Sequence, residues 1–339
     1  MRKQSTRRHF LESASGMLAL STLPSGMSLA QSGQVSGTPD PAYRSGRRSL
    51  CEQTAPPGKP LAARKTDTGI QKARNQATRL ISYIAEAGKL KGGVISLCAE
   101  YGRIEVMDSD DGQVRLQVRC IATGEGAAKA LADTDVHAHL NADNRQLRVA
   151  VWHATQGFGA QSQPCFVAIR LQVPPTGAYK LDALANHGCV GVHRLTLAGA
   201  KLRGLTGTKM RGIKGYLGGH DLDNVVLSGD LDLATEAPAG FGDAWIQGML
   251  TAIAPCKITG RTNEGNIRLA FTPTLDTGLD VTASSEQGRV MIGLNDKPAG
   301  SPDNTNQKEW RARSEGFEKL PIKVTVEARS KISNVTVVG

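Results

Sequence analysis

From residue 94 onward, apolar and polar residues alternate along the chain with a period of two. Val94–Leu97, Gly102–Val106, Val114–Cys120 and Leu147–Val151 each place their apolar side chains on one face, which predicts half-buried strands. Asp110-Asp111-Gly112 supplies a hairpin-type turn between two of them. Phe166–Val173 continues the pattern and is closed by Pro174-Pro175-Thr176-Gly177. Two segments carry a different period. Between Thr68 and Lys89, apolar residues fall at Ile70, Ala73, Ala77, Ile81 and Ile84, which predicts an amphipathic helix ended by Gly88 and Gly92-Gly93. Glu125 to Asp133 predicts a short helix with Ala127, Ala128 and Leu131 on its apolar side. Residues 67–178 therefore form a β-rich N-terminal part with short helices.

Residues 179–295 repeat one theme, two short alternating strands joined by a turn with glycine just before the second strand. It opens as Lys180-Leu181-Asp182-Ala183-Leu184 followed by Gly188-Cys189-Val190-Gly191-Val192, and closes as Leu279-Asp280-Val281-Thr282-Ala283 followed by Gly288-Arg289-Val290-Met291-Ile292. With Leu181, Leu202, Leu222, Ile258 and Leu279 taken as equivalent, the steps are 21, 20, 36 and 21 residues. The long step holds the irregular turn Pro238-Ala239-Gly240. Such a period predicts an all-β chain built as a β-solenoid, a single-stranded stack of short rungs. An antiparallel sandwich competes, because it also shows frequent short strands. The phase of the glycines favours the solenoid. Residues 296–320 form a polar loop, and residues 321–339 predict closing strands that cover the last open edge of the stack.

The repeat resembles the putative adhesin proteins of the DUF4097 class, whose pattern runs Leu-Asp-x-x-Thr, then Gly-Asn/Asp-Ile/Val-x-Val. Gly102-Arg103-Ile104-Glu105-Val106 upstream and the lead-in Val173-Pro174-Pro175-Thr176-Gly177 belong to the same resemblance, which covers roughly residues 94–295. It implies a bacterial, largely β-solenoid protein with no established catalytic residues to carry over. The chain departs from the pattern around 234–256 and at Arg203-Gly204-Leu205, which affects the rung count.

Composition supports a flat, layered core. Aromatic residues make up 4% of the chain and glycines number 38, so Val, Ile, Leu and Ala must supply the buried area. The formal charge is +10, of which residues 1–30 supply +3, leaving +7 beyond them. That balance suits an anionic envelope surface or an acidic polysaccharide, and equally plain solubility. No basic stripe interleaved with aromatics points to nucleic acid.

The first thirty residues explain where such a chain works. Thr6-Arg7-Arg8-His9-Phe10-Leu11 resembles the twin-arginine export consensus, with Glu12 where lysine is usual. The apolar segment from Ala14 to Leu29 is too short and too polar to span a bilayer stably. Ser28-Leu29-Ala30 predicts cleavage between Ala30 and Gln31. Residues 1–30 thus read as a twin-arginine signal peptide carried by Arg7, Arg8, Phe10 and Leu11, and residues 31–66 as a disordered linker rich in Ser, Gly, Pro and Arg. The mature chain is expected in the periplasm or outside the cell, without a membrane span. Cys51, Cys98, Cys120, Cys165, Cys189 and Cys256 then have access to oxidation. Their spacing leaves connectivity open, with buried free thiols as the competing state.

Candidate chemistry is sparse. Asp221 and Asp223, and Asp230 and Asp232, are i, i+2 pairs that project two carboxylates each from a strand. They form the acidic cluster that a solenoid polysaccharide lyase or hydrolase would use, and equally read as an outward polar stripe. His137 and His139 share a face, with His153 as a third candidate ligand; an exposed strand face is the simpler reading. His187, His193 and His220 fall near turns. No cofactor motif is present. The expected function is a non-enzymatic, envelope-associated, adhesin-like or scaffold protein that presents an extended β surface to a polysaccharide or surface protein. The alternative is a carbohydrate-active enzyme using the paired aspartates.

Overall fold

A computed structural model describes residues 51, 64–86, 88, 90–141, 145–153, 165–205, 219–236, 245–272, 274–294, 297–299 and 309–339. The signal segment with Arg7, Arg8, Phe10 and Leu11, the Ala30/Gln31 cleavage position and most of the 31–66 linker lie outside these residues. The described chain is all-β as expected.

The N-terminal part runs β1 (Arg64–Asp67), β2 (Gln71–Ala73), β3 (Gln76–Ala85), β4 (Val94–Asp108), β5 (Val114–Thr123), α1 (Ala127–Ala132), β6 (Thr134–Asn141), β7 (Gln146–His153) and β8 (Phe166–Val173). The short helix falls where the sequence places it. The longer helix expected over 68–89 is instead β2 and β3. Ala77, Ile81, Tyr83 and Ala85 form one buried row at a period of two, while Ile84 faces out. Arg79 interrupts that row and hides the alternation. Its charge is settled by Asp67 on β1, at 2.8 Å.

The repeat region runs β9 (Ala178–His193), β10 (Thr196–Leu205), β11 (Gly219–Leu227), β12 (Leu231–Glu236), β13 (Trp245–Ala252), β14 (Cys256–Thr262), β15 (Ile267–Phe271), β16 (Thr277–Ser285) and β17 (Val290–Leu294). The C-terminal part adds β18 (Lys297–Ala299), β19 (Glu309–Arg313), β20 (Ile322–Ser330) and β21 (Val335–Val338).

These strands form two long parallel ladders. The first joins β7, the start of β4, the first half of β9, then β10, β12, β14, β20 and β16. The second joins β8, the end of β4, the second half of β9, then β11, β13, β15, β21 and β17. A short third ladder connects the start of β10 to the start of β9 and the end of β11, which in turn pairs with the end of β13. β4 and β9 run unbroken from the first ladder into the second, and Gly102 (φ +148°) and Gly188 stand side by side at the crossing.

Register places like residues in rows. In the first ladder Ile95, Leu181, Ala200, Leu231, Ile258, Val326 and Val281 follow one another across the strands. All but Ala200 are buried. In the second, Ile169, Ile104, Val190, His220, Ile246, Ile267, Val335 and Val290 do so. Burying each such aliphatic side chain contributes about 1.5–3 kcal/mol, and each does so only because the next strand of the ladder covers it.

The corners are fixed by hydroxyls. Thr262 Oγ1 accepts the Gly265 N–H at 2.9 Å, Ser285 Oγ accepts that of Gly288 at 2.8 Å, and Ser330 Oγ accepts that of Ser333 at 3.0 Å. Ser330 Oγ also donates to the Gly265 carbonyl, and Ser285 Oγ to that of Ser333, so the three turns stack in the order 262, 330, 285. The final strands therefore do not lie at the edge. β20 sits between β14 and β16, and β21 between β15 and β17. The edge is covered instead by the antiparallel strands β19 on β16 and β18 on β17. Glu309, Arg311 and Arg313 give β19 the charges that discourage further strand pairing.

Candidate binding face

The paired aspartates do not meet. Asp221 and Asp223 project from β11 in the second ladder, and Asp232 from β12 in the first, with Asp230 in the turn before it. Each has its own partner. Gln247 Nε2 donates to Asp221 Oδ1 at 3.1 Å, and Asn224 donates to Asp223. The Lys257 N–H donates to Asp230 at 2.7 Å, and Arg261 pairs with Asp232 at 3.0 Å. The bonds of Asp221, Asp230 and Asp232 tie neighbouring strands together, while that of Asp223 stays within its own strand.

The histidines are dispersed in the same way. His137 stacks on Trp152, with centroids 4.6 Å apart, while His139 lies opposite Arg148. His153 pairs through its backbone with Thr134. His187 lies at the crossing of β9, opposite Tyr101. No group of three or more His, Cys, Asp or Glu that could hold a metal occurs among the described residues.

His220 is different, and its position near a turn concealed it. It occupies the second ladder's core row, where its neighbours are Val190 and Ile246, and it is fully buried. Nε2–H donates to the Ala234 carbonyl at 2.8 Å, and Nδ1 has no hydrogen-bond partner among the described residues. Burial disfavours the imidazolium and pulls the pKa down to about 4, against smaller opposing effects of the Ala234 carbonyl and Asp232. The unfolded chain takes up the proton near its ordinary 6.5. Stability from the neutral ring is thus complete above pH 6.5 and falls as pH drops from 6.5 to 4, by about 3 kcal/mol. Urea titrations across this range should show that loss, and His220→Leu should remove most of its slope.

The two ladders present outer faces of different chemistry. On the first, one row reads Ser96, Asp182, Lys201, Asp232, Thr259, Glu327 and Thr282. Lys201 stands between Asp182 and Asp232, and the row's other excess acids are met by bases of adjoining rows, Arg261–Asp232 at 3.0 Å and Lys257–Glu327 at 2.7 Å, which tie neighbouring strands together. This is a self-neutralised, solvated face.

The second face changes character along its length. Toward β8 it carries Arg170, Glu105 and Arg103, with Arg103–Glu105 at 2.7 Å. Farther along, a polar row of Asp221, Gln247, Arg268 and Thr336 leads to Met291, which is 48% exposed. Beside it runs a smaller, apolar row of Met249, Ala270, Val338 and Gly293. Trp245 closes one end. Its indole lies over Gly219, where an added Cβ would come within 2.9 Å of the ring. His193 lies over Gly191 in the same manner. Aromatic surface beside planar hydrogen-bonding groups suits a sugar ring, which has an apolar face and hydroxyl edges. The basic Arg268 adds attraction for acidic groups. Alternation predicted outward side chains, but only register reveals that these share a row.

No family model matches the chain, and no curated protein matches it. Among solved structures it is similar to a putative cell adhesion protein from Clostridium sporogenes, at 8% identity and a TM-score of 0.36, over 77% of this chain and 99% of that one. It is also similar to a putative adhesin from Bacteroides fragilis, at 14% identity and a TM-score of 0.25, over 79% and 100% of the two chains. A putative adhesin from Parabacteroides merdae shows 11% identity and a TM-score of 0.24, over 78% and 97%.

Proposed function

We propose that this chain is an exported envelope protein whose stacked rungs form a β-solenoid, and that the outer face of its second ladder binds a cell-surface polysaccharide without catalysis. The observation that supports this reading is the difference between the two faces. One neutralises its own charges across the rungs. The other sets the polar row Asp221–Gln247–Arg268–Thr336 beside an apolar row, with Trp245 at the end. Parallel rungs lie about 4.8 Å apart, so the rows offer repeated contacts along an extended polymer. Twin-arginine export through Arg7, Arg8, Phe10 and Leu11, with cleavage at Ala30/Gln31, delivers the chain to that surface. The resemblance to the DUF4097 adhesin class agrees with this role.

Residues 31–339 should retain an acidic or neutral polysaccharide in a glycan array and in polysaccharide pull-downs. Trp245→Ala and Arg268→Ala should each weaken retention about tenfold, while Lys201→Ala on the first face should not. Equal loss from both faces, or no retained glycan, counts against the proposal. The enzyme alternative predicts shortening of an acidic polysaccharide by the same protein, abolished in Asp221→Asn or Asp232→Asn.

A further inference from the structure

Four cysteines are free thiols in the structure, namely Cys120, Cys165, Cys189 and Cys256. Two of them form a pair that neither sequence spacing nor the proposed binding role points to. Cys120 lies on β5 opposite Val167 of β8, and Cys165 is two residues before Val167 in the antiparallel partner. The two side chains are therefore diagonal neighbours on one face of the sheet. They are 1% and 5% exposed within the same core. Each thiol is the chief influence on the other's titration, which places them as near neighbours, and Cys165 Sγ–H donates to the Phe166 carbonyl at 3.6 Å. Cys51 and Cys98 are already bonded. Cys189, by contrast, lies in a row between Arg103 and Gly219, and Cys256 opposite Val324 on the other ladder, neither with a cysteine beside it in register.

We infer that Cys120 and Cys165 form a second disulfide in the mature protein, clamping β5 to β8 and closing the loop that carries α1, β6 and β7. In the closed sheet the interaction between the two thiols favours the Cys165 thiolate and disfavours that of Cys120, which burial pushes up further. In the open chain neither influence acts, so either cysteine can serve as the first nucleophile, Cys165 for example. Its thiolate attacks the disulfide of an oxidising dithiol–disulfide exchange protein, giving a mixed disulfide and expelling one thiolate of that protein. Cys120 loses its proton and attacks Cys165 Sγ, forming the intramolecular bond and expelling the second thiolate. Two thiol protons are released, and the two electrons reduce the oxidant's disulfide to a dithiol. Because both sulfurs are buried in the finished core, this exchange takes place before β5 and β8 close over them, and the bond is shielded from reductant afterwards.

The test uses full-length mature protein made in an oxidising compartment, with the linked Cys51–Cys98 peptide confirmed. The sample is unfolded without reductant, alkylated and digested, and its peptides are mapped by mass spectrometry. Two alkylated cysteines, Cys189 and Cys256, with a linked Cys120–Cys165 peptide, are expected. Alkylation of all four, or a link from Cys120 or Cys165 to any other cysteine, overturns the inference. As a second measurement, reductant should leave the thiols of the folded protein unreleased for at least tenfold longer than those of the unfolded chain. Release at equal rates would also overturn the buried clamp.

Discussion

Removing residues 321–339 should unfold the repeat region rather than shorten it. In a simple stack the last segment in sequence is the last rung in space, and its loss removes one increment of stability. Here β20 is hydrogen-bonded along its length to β14 on one side, from Cys256↔Val324 to Thr262↔Ser330, and to β16 on the other, from Thr277↔Ile322 to Ser285↔Ser330. β21 is held likewise between β15 and β17. Val324, Val326, Ala328, Val335 and Val337 are all fully buried. At about 2 kcal/mol for each valine, their burial alone contributes roughly 8 kcal/mol, which is comparable to the whole stability of an ordinary domain, about 5–15 kcal/mol. The deletion also strands β16 and β17 without a parallel neighbour and leaves the corner hydroxyls of Thr262 and Ser285 without the Ser330 turn between them. Residues 31–320 should show no cooperative thermal transition by circular dichroism and should be digested rapidly by protease. A cooperative transition within a few degrees of the intact chain would contradict the interior placement.

The second large effect is expected at the crossing between ladders. A Cβ on Gly102 would lie 1.8 Å from the Val167 carbonyl oxygen, and one on Gly188 would lie 1.6 Å from that of Gly102. Backbone cannot yield as a side-chain tip does, and Gly102 also has φ +148°, where alanine is strained. Gly102→Ala and Gly188→Ala should each cost roughly 3–5 kcal/mol, lowering Tm by on the order of 10 °C. Gly112 offers the comparison. It also has positive φ (+69°), yet an added Cβ meets nothing within 4 Å, so Gly112→Ala should cost only about 1 kcal/mol. Equal effects at the three sites would show that conformational strain, not close approach of the rungs, sets the cost.

Both effects involve neighbours that a period-two pattern does not identify. Alternation was sufficient for most strands, because a half-buried strand must place every second side chain inside whatever its partner is. It failed over 68–89, where Arg79 stands in the buried row and only its ion pair with Asp67 makes that acceptable. It also said nothing of His220, whose place among Val190 and Ile246 comes from register. The acidic pairs were legible as pairs, but not as members of separate ladders, because the chain leaves the second ladder at the break between Leu222 and Val225, crosses the third, and turns after Leu227 into the first.

The sequence by itself determined that the described chain is all-β and where most strands run, since those properties depend on side chains within one strand. The tertiary structure alone decided which strand lies beside which. Parallel neighbours join through backbone N–H and C=O groups that are alike in every strand, so hydrogen bonding does not encode order. Fit between the rows does. The C-terminal valines fill the space between Ile258 and Val281 and between Ile267 and Val290, and so the last strands of the chain became interior ones.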